Sequence, residues 1–183
     1  MVDKIKRAIL VVDMLNDFVT GSLKCERADN IIPNLKKLLR AARAQNIPIM
    51  YLNDAHLPSD HELRMLGVTH AIKGTKGAEV IPEIKPTKKD YVIEKRTYSG
   101  FFETGLDILL RDLGVDTVII TGMHTHVCDR HTAADAYFRG YNIVVVSDAV
   151  EAFTQRDHEY GLEYLKTWYG ARIAKVDEII KEF

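Results

Sequence analysis

Short apolar runs that alternate with stretches of helical spacing constrain this chain more than anything else in it. Ala8–Val12, Ile47–Leu52, Thr117–Ile120 and Ile143–Val146 are nearly unbroken in apolar residues. That is the pattern of strands buried on both faces, as in a parallel sheet, and not of strands with one wet face. Asp90–Glu94 reads as a further strand and Ala171–Ala174 as a short edge strand. Between them, Asn30–Ala44 carries Ile31, Ile32, Leu35, Leu38 and Leu39 at helical spacing. Thr104 is placed to cap a helix running to Leu113, with Leu106, Leu109 and Leu110 on its apolar stripe. Asp129–Gly140 and Gln155–Tyr169 read as helices, and Asp177–Lys181 as a last helical turn. Asp54–Lys76 has no clear period and is expected to be a long loop, the kind that in compact domains is usually functional or disordered.

Strands joined by single helices imply right-handed crossovers. The expected fold is α/β: a three-layer αβα sandwich around a mostly parallel sheet of about six strands, formed by residues 1–183 as a single domain. In such sheets, sites form outside the carboxyl ends of the strands, near the point where the strand order reverses. The residue types able to do chemistry fall at that edge. Asp13 follows the first strand, Asp54 and His56 the second, Lys95 the third, and Cys128 comes after the fourth.

Cys128 sits where the run from Thr117 passes Gly122 and a helix opens. Unpaired amides and the helix dipole there are expected to favour a thiolate, the nucleophilic form of cysteine. Asp13, its pKa raised by burial, would accept the thiol proton, and Lys95 would hold Asp13 by charge. The amides of His124 and Cys128 are candidates for stabilising an oxyanion. His124 or His126 is the rival base, but His126 lies only two residues from Cys128 in a tight turn, so Asp13 is preferred.

Bulk properties exclude several classes. A net charge of −1 draws the chain neither to nucleic acid nor to an anionic membrane. No apolar stretch is long enough to span a bilayer. Two cysteines, Cys25 and Cys128, make no disulfide framework and suit a reducing compartment. The N-terminal residues lack the apolar region and cleavage site of a signal peptide, so a cytoplasmic protein is expected. Cys25, in a polar loop, is expected to be incidental.

Three motifs in order, VVDMLNDF at residues 11–18, Lys95 ahead of YSGF at 98–101, and GMHTHVC at 122–128 ahead of TAADA at 132–136, resemble the isochorismatase-like cysteine hydrolases. That superfamily includes nicotinamidases and N-carbamoylsarcosine amidases. The resemblance runs over nearly the whole chain, including VSDA at 146–149. It implies a Rossmann-like strand order and a catalytic triad of Asp13, Lys95 and Cys128. It also implies a cis peptide at Met123–His124 that orients the oxyanion amides of His124 and Cys128. Phe18, Tyr98, Phe101 and His126 become candidate walls of a substrate pocket. Phe101 and Phe102 equally suit a core, and Arg130 suits either a substrate carboxylate or a helix surface. Trp168 and Tyr169 suit an oligomer contact or simple packing.

Asp54, His56 and His70 form a second set, one carboxylate and two imidazoles, suited to zinc or another first-row divalent ion. The resemblance matches them to the metal ligands of nicotinamidases. Two details depart from it: Ala55 replaces an aromatic residue, and a further histidine is matched only approximately by His61. The alternative is that His56 and His70 only hydrogen-bond within the loop. His61, His131 and His158 read as structural or exposed.

Together these point to a cysteine-dependent amidohydrolase. It would cleave a C–N bond of a small amide or ureide, nicotinamide-like or an N-carbamoyl amino acid, through a thioester, with no organic cofactor and as a homo-oligomer. Two readings stand beside it. One is a non-catalytic binding module on the same fold. The other is an isochorismatase-type hydrolase, disfavoured because its members carry a different residue at the nucleophile position.

Overall fold

The structure, a computed structural model, describes residues 6–183. Six strands form one sheet in the order β3-β2-β1-β4-β5-β6, and every pairing is parallel. The strands are β1 (Arg7–Val12), β2 (Ile49–Asp54), β3 (Tyr91–Lys95), β4 (Thr117–Met123), β5 (Asn142–Glu151) and β6 (Arg172–Ala174). The helices are α1 (Asn16–Val19), α2 (Ile32–Ala44), α3 (His61–Leu66), α4 (Leu106–Asp112), α5 (Cys128–Phe138), α6 (Gln155–Tyr169) and α7 (Val176–Lys181).

The apolar runs explain the layers. Successive side chains of a strand point to opposite faces. Ile9, Val11 and Tyr51 therefore pack with Leu35 and Leu38 of α2 and Ile179 of α7. Ala8, Leu10 and Leu52 pack on the other face with Leu110 of α4, Ala133 of α5 and Leu165 of α6. Both faces being apolar, the central strands carry no polar alternation. The order reverses between β1 and β4, which places the crevice at their carboxyl ends. At that crevice Gly122, at φ +110°, pairs with Val12, and a Cβ there would lie 2.0 Å from the Val12 carbonyl oxygen. Only glycine allows that approach.

Several expected boundaries move. β2 runs on to Asp54, so Asp54 and Lys95 are the last residues of their strands and not loop residues, and they are register partners. β5 extends to Glu151, well beyond Val146. The segment expected to be loop from Asp54 to Lys76 contains α3, which ends on Gly67 in the left-handed conformation. One turn and a half is too short for helical periodicity to register. Among the described residues, no helix is long and apolar enough to cross a membrane.

Candidate active site

Asp13 is the first residue beyond β1, held at φ +51°, an uncommon conformation for a residue with a side chain. Its amide donates to the Leu52 carbonyl at 3.0 Å, and its Oδ1 accepts the Asp54 amide at 2.8 Å. Oδ2 lies 2.7 Å from the Lys95 ammonium. The ammonium also donates to Asp54 Oδ1 at 2.6 Å and to the Thr97 carbonyl at 3.2 Å. All three side chains are buried. Burial opposes the charge of Lys95, but Asp13 and Asp54 outweigh it and hold its pKa well above the ordinary value. Burial likewise opposes the charge of Asp54, yet Lys95 and His56 keep its pKa below the usual carboxylate value. Asp13 goes the other way: burial and the neighbouring Asp54 carry it up to about 7 against the pull of Lys95. One carboxylate is thus locked in its anionic form and the other is poised to exchange a proton near neutrality.

Cys128 opens α5, and its sulfur lies within 4.8 Å of a carboxylate oxygen of Asp13 and of Asp54. Here the helix terminus does not decide the ionisation. Burial drives the thiol pKa well up; Lys95 pulls it down, and Asp13 and Asp54 add to the rise. The resting group is a neutral thiol, so the expected resting thiolate is corrected, and a base beside the sulfur is required. His124 is a poor base: burial and the adjacent His126 bring its pKa down to about 3. The Met123–His124 peptide is cis. In the turn that follows, the amides of Thr125, Val127 and Asp129 are spent on the carbonyls of Glu151 and His124. Those of His124 and Cys128 donate to no backbone or side-chain acceptor among the described residues. They are free for an oxyanion.

Asp54 joins this cluster to a second one. His56 Nε2 lies 3.6 Å from Asp54 Oδ2 and 3.9 Å from Glu62 Oε1, and His70 Nε2 lies 3.8 Å from the same Glu62 oxygen. One donor atom from each of Asp54, His56, Glu62 and His70 lies within 4.8 Å of the others, and all four residues are buried. Each imidazole is anchored through Nδ1, His56 near Asp60 Oδ2 at 3.3 Å and His70 to the Val68 carbonyl at 3.0 Å. That leaves Nε2 turned to the centre, and His56 Nε2 is buried without a hydrogen-bond partner. Burial lowers both imidazole pKa values, but Asp54 beside His56 and Glu62 beside His70 more than restore them, so both end above the ordinary value. Two oxygens and two nitrogens converging with anchored outer nitrogens fit a first-row divalent cation. Glu62, on α3, was not expected. His61, the approximate match for a further histidine, is exposed, and its neighbour Glu62 turns inward beside His56 and His70.

The remaining candidates divide. Phe18 lies between the clusters, 5.5 Å from the His70 ring and 5.8 Å from the His124 ring. Tyr98 lines a cleft of about 490 Å³ with Glu62, Lys95 and Phe102. Phe101 packs in the core 5.9 Å from Tyr141 and under the Arg139 guanidinium, in the same apolar cluster as Cys128. His126 has its pKa lowered, by burial first and by Arg130 of α5, with Asp157 of α6 opposing. Arg130 stacks 5.0 Å above Tyr164 of α6. His131 and His158 bond to the Val127 carbonyl and the Thr125 hydroxyl. Cys25 is not idle in a polar loop: it is buried and its thiol meets the Ala152 carbonyl at 3.3 Å. Asp129 was overlooked. It is fully buried, both its oxygens lack partners, and burial with the nearby Asp13 pushes its pKa well up from the ordinary carboxylate value. In sequence it looks like any acidic residue in the first turn of a helix.

A thiol, a carboxylate and an ammonium gather at the switch point of a 3-2-1-4-5-6 parallel sheet, in the crevice of a doubly wound α/β protein. The chain belongs to the isochorismatase family, whose Isochorismatase domain matches residues 7–178. It is similar to an N-carbamoylsarcosine amidase from Thermoplasma acidophilum, with 43% identity, a TM-score of 0.89, and 94% of this chain and 98% of that chain covered. A pyrazinamidase of Pyrococcus horikoshii, solved in complex with zinc, shares 32% identity at a TM-score of 0.87, over 93% of this chain and 99% of that one. Nicotinamidase 3 of Arabidopsis thaliana is 32% identical over 86% of this chain and 83% of its own length.

Proposed function

We propose that this protein is a single-domain cysteine amidohydrolase acting on a small carboxamide or ureide. The carrying observation is the neutral Cys128 thiol within 4.8 Å of an Asp13 carboxylate whose pKa is set near 7. The similarity to an N-carbamoylsarcosine amidase, a pyrazinamidase and a nicotinamidase supports the same chemistry.

Asp13 takes the thiol proton as the sulfur attacks the carbonyl carbon. The oxyanion is held by the amides of His124 and Cys128. Asp13 then passes that proton to the departing nitrogen, ammonia leaves, and the acyl group stays on sulfur as a thioester. A water molecule attacks the thioester while Asp13 takes one of its protons. The tetrahedral intermediate expels the thiolate, which recovers the proton from Asp13, and the carboxylic (or carbamic) acid is released. Lys95 remains charged throughout and keeps Asp13 from drifting or pairing elsewhere.

Asp54, His56, Glu62 and His70 would hold a divalent cation, with zinc the first candidate from the donor set. When bound, it would supply a Lewis acid that orients a lone pair of the substrate. Self-association is supported by the exposed aromatic side chains Phe138 of α5 and Trp168 of α6. A cytoplasmic setting fits the two unpaired cysteines.

The test is ammonia release from nicotinamide, pyrazinamide and N-carbamoyl amino acids, with and without Zn²⁺. Turnover by the wild type and its loss in Cys128→Ala are expected. Full turnover in Cys128→Ala would refute the mechanism.

A further inference from the structure

Behind the turn that carries the amides of His124 and Cys128 lies a second set of polar groups, and they meet the turn at Thr125. Thr125 is fully buried. Its amide donates to the main-chain carbonyl of Glu151 at 2.9 Å, and its hydroxyl lies 3.1 Å from Nδ1 of His158 on α6. Gly161, one turn further along α6, packs on the same segment. A Cβ there would lie 2.9 Å from Thr125 Cγ2 and 3.0 Å from both the Thr125 carbonyl carbon and the His126 amide nitrogen. Alanine is the better helix former, so glycine at this position serves the close approach of helix and turn.

Glu151 is itself held. It ends β5, and it pairs with Met123 at the mouth of the turn, beyond the register shift that follows Ile120. Its carboxylate is buried and accepts from four donors. Oε1 takes Arg27 Nε and the Ala152 amide, both at 3.0 Å; Oε2 takes Arg27 Nη2 at 3.1 Å and Asn30 Nδ2 at 3.2 Å. Arg27 Nη2 also donates to Gln155 Oε1 at 2.6 Å, at the first residue of α6. One guanidinium, from the segment between α1 and α2, thus ties the end of β5 to the start of α6, the two elements that grip Thr125. A desolvated ion pair adds little stability over an apolar pair of the same shape, but its two-pronged bond fixes geometry. Geometry is what an oxyanion site needs, since its donors must be aimed before the charge develops.

We propose that Arg27, Glu151 and Gly161 are positioning residues of the oxyanion turn: the Arg27–Glu151 fork and the bare face of α6 at Gly161 hold Thr125 between β5 and α6 and so aim the amides of His124 and Cys128. This rests on the amidohydrolase reading above. The side chains of Arg27 and Glu151 bond to each other, to Asn30, to Gln155 and to the Ala152 amide, and not to Asp13, Lys95 or the Cys128 thiol. The clamp therefore serves the step in which the substrate oxygen gains charge, and leaves the thiol and its base as they are.

The test sets two reactions of the full chain, supplied with zinc, against each other. One is ammonia release from nicotinamide, pyrazinamide and N-carbamoylglycine, giving kcat and KM. The other is alkylation of Cys128 by iodoacetamide, followed by the mass of the peptide that carries it. Alkylation expels iodide without charging an oxygen, so it reports the thiol and its base alone. Gly161→Ala pushes on the turn and should lower kcat about 10–100-fold, with KM and the alkylation rate within about twofold of wild type. Arg27→Ala releases Glu151 and Gln155 and should lower kcat about tenfold in the same pattern; it decides the matter where Gly161→Ala does not fold. Arg27→Lys can keep one bond to Glu151 and should recover part of that loss. With an active wild type, an unchanged kcat in Gly161→Ala and Arg27→Ala overturns the clamp. So does a fall in alkylation that matches the fall in kcat, because the damage then lies at the nucleophile or in the whole fold. A wild type that releases no ammonia from any of the three removes the amidohydrolase reading and this inference with it.

Discussion

Asp13 and Lys95 stand at the ends of β1 and β3, with Asp54 at the end of β2 between them. His56, Glu62 and His70 instead hang on the segment that links β2 to β3. The first group is fixed by the sheet, so its charges can be buried against one another at 2.6–2.7 Å. The second is spaced by loop and short helix, and its donors stand 3.6–3.9 Å apart, close enough to share a cation and too far to satisfy one another. Ion pairs buried on a rigid edge make a reagent of fixed geometry; donors on a loop make a socket that a ligand completes.

Each variant below sets one half against the other. The largest effect is expected for Cys128→Ala, which should lower turnover by at least about a thousandfold with little change in thermal midpoint, read by ammonia release and calorimetry. Lys95→Met should be next. It leaves Asp13 and Asp54 buried without their cation and should cost about 3–5 kcal/mol in urea unfolding, as well as activity. His70→Ala on the loop side should spare the metal-free fold and cut zinc affinity by more than the roughly 10–100-fold that loss of an outer hydrogen bond costs. Asp60→Asn, which weakens only the anchor of His56, should fall within that range, both read by competition with a chelating dye. If Lys95→Met proved as mild on stability as His70→Ala, the contrast between the two halves would fail.

Two pH experiments sharpen it further. Asp13 must be deprotonated to accept the thiol proton, so kcat/KM should rise with pH through an apparent value near 7. A limb near pH 4 would show that burial does not govern Asp13. The smallest effect concerns Asp129. Its folded-state pKa is raised, so the folded protein binds that proton more tightly than the unfolded chain. Its contribution is fully present at acid pH and is lost as pH rises above the unfolded value. Asp129→Asn should therefore gain stability relative to wild type from pH 4 to pH 8, measured by denaturant unfolding at both.

The same division explains what could be read in advance. Ala8–Val12 and Thr117–Ile120 announce buried parallel strands through unbroken apolarity, and the edge rule then places Asp13, Lys95 and Cys128 together before any contact is known. Glu62 escaped because α3 spans only His61–Leu66, less than two turns, and leaves no periodic trace. The surroundings of Phe101 were hidden for another reason. Proximity along the chain to Tyr98 says nothing about which side a ring takes, and it packs against Tyr141. The ionisation of Cys128 could not be read either. Helix position is visible in a sequence, but full burial between two carboxylates is a tertiary property.

Asp54 spends one oxygen on Lys95 and turns the other toward His56. A single carboxylate is therefore common property of the reagent and the socket. By thermodynamic reciprocity, any ligand that draws on the outer oxygen changes the free energy of moving a proton to or from Asp13. The protonation state of Asp13 must then change the affinity for that ligand by the same factor. Occupancy at one end of the crevice and basicity at the other are one equilibrium, read at two places.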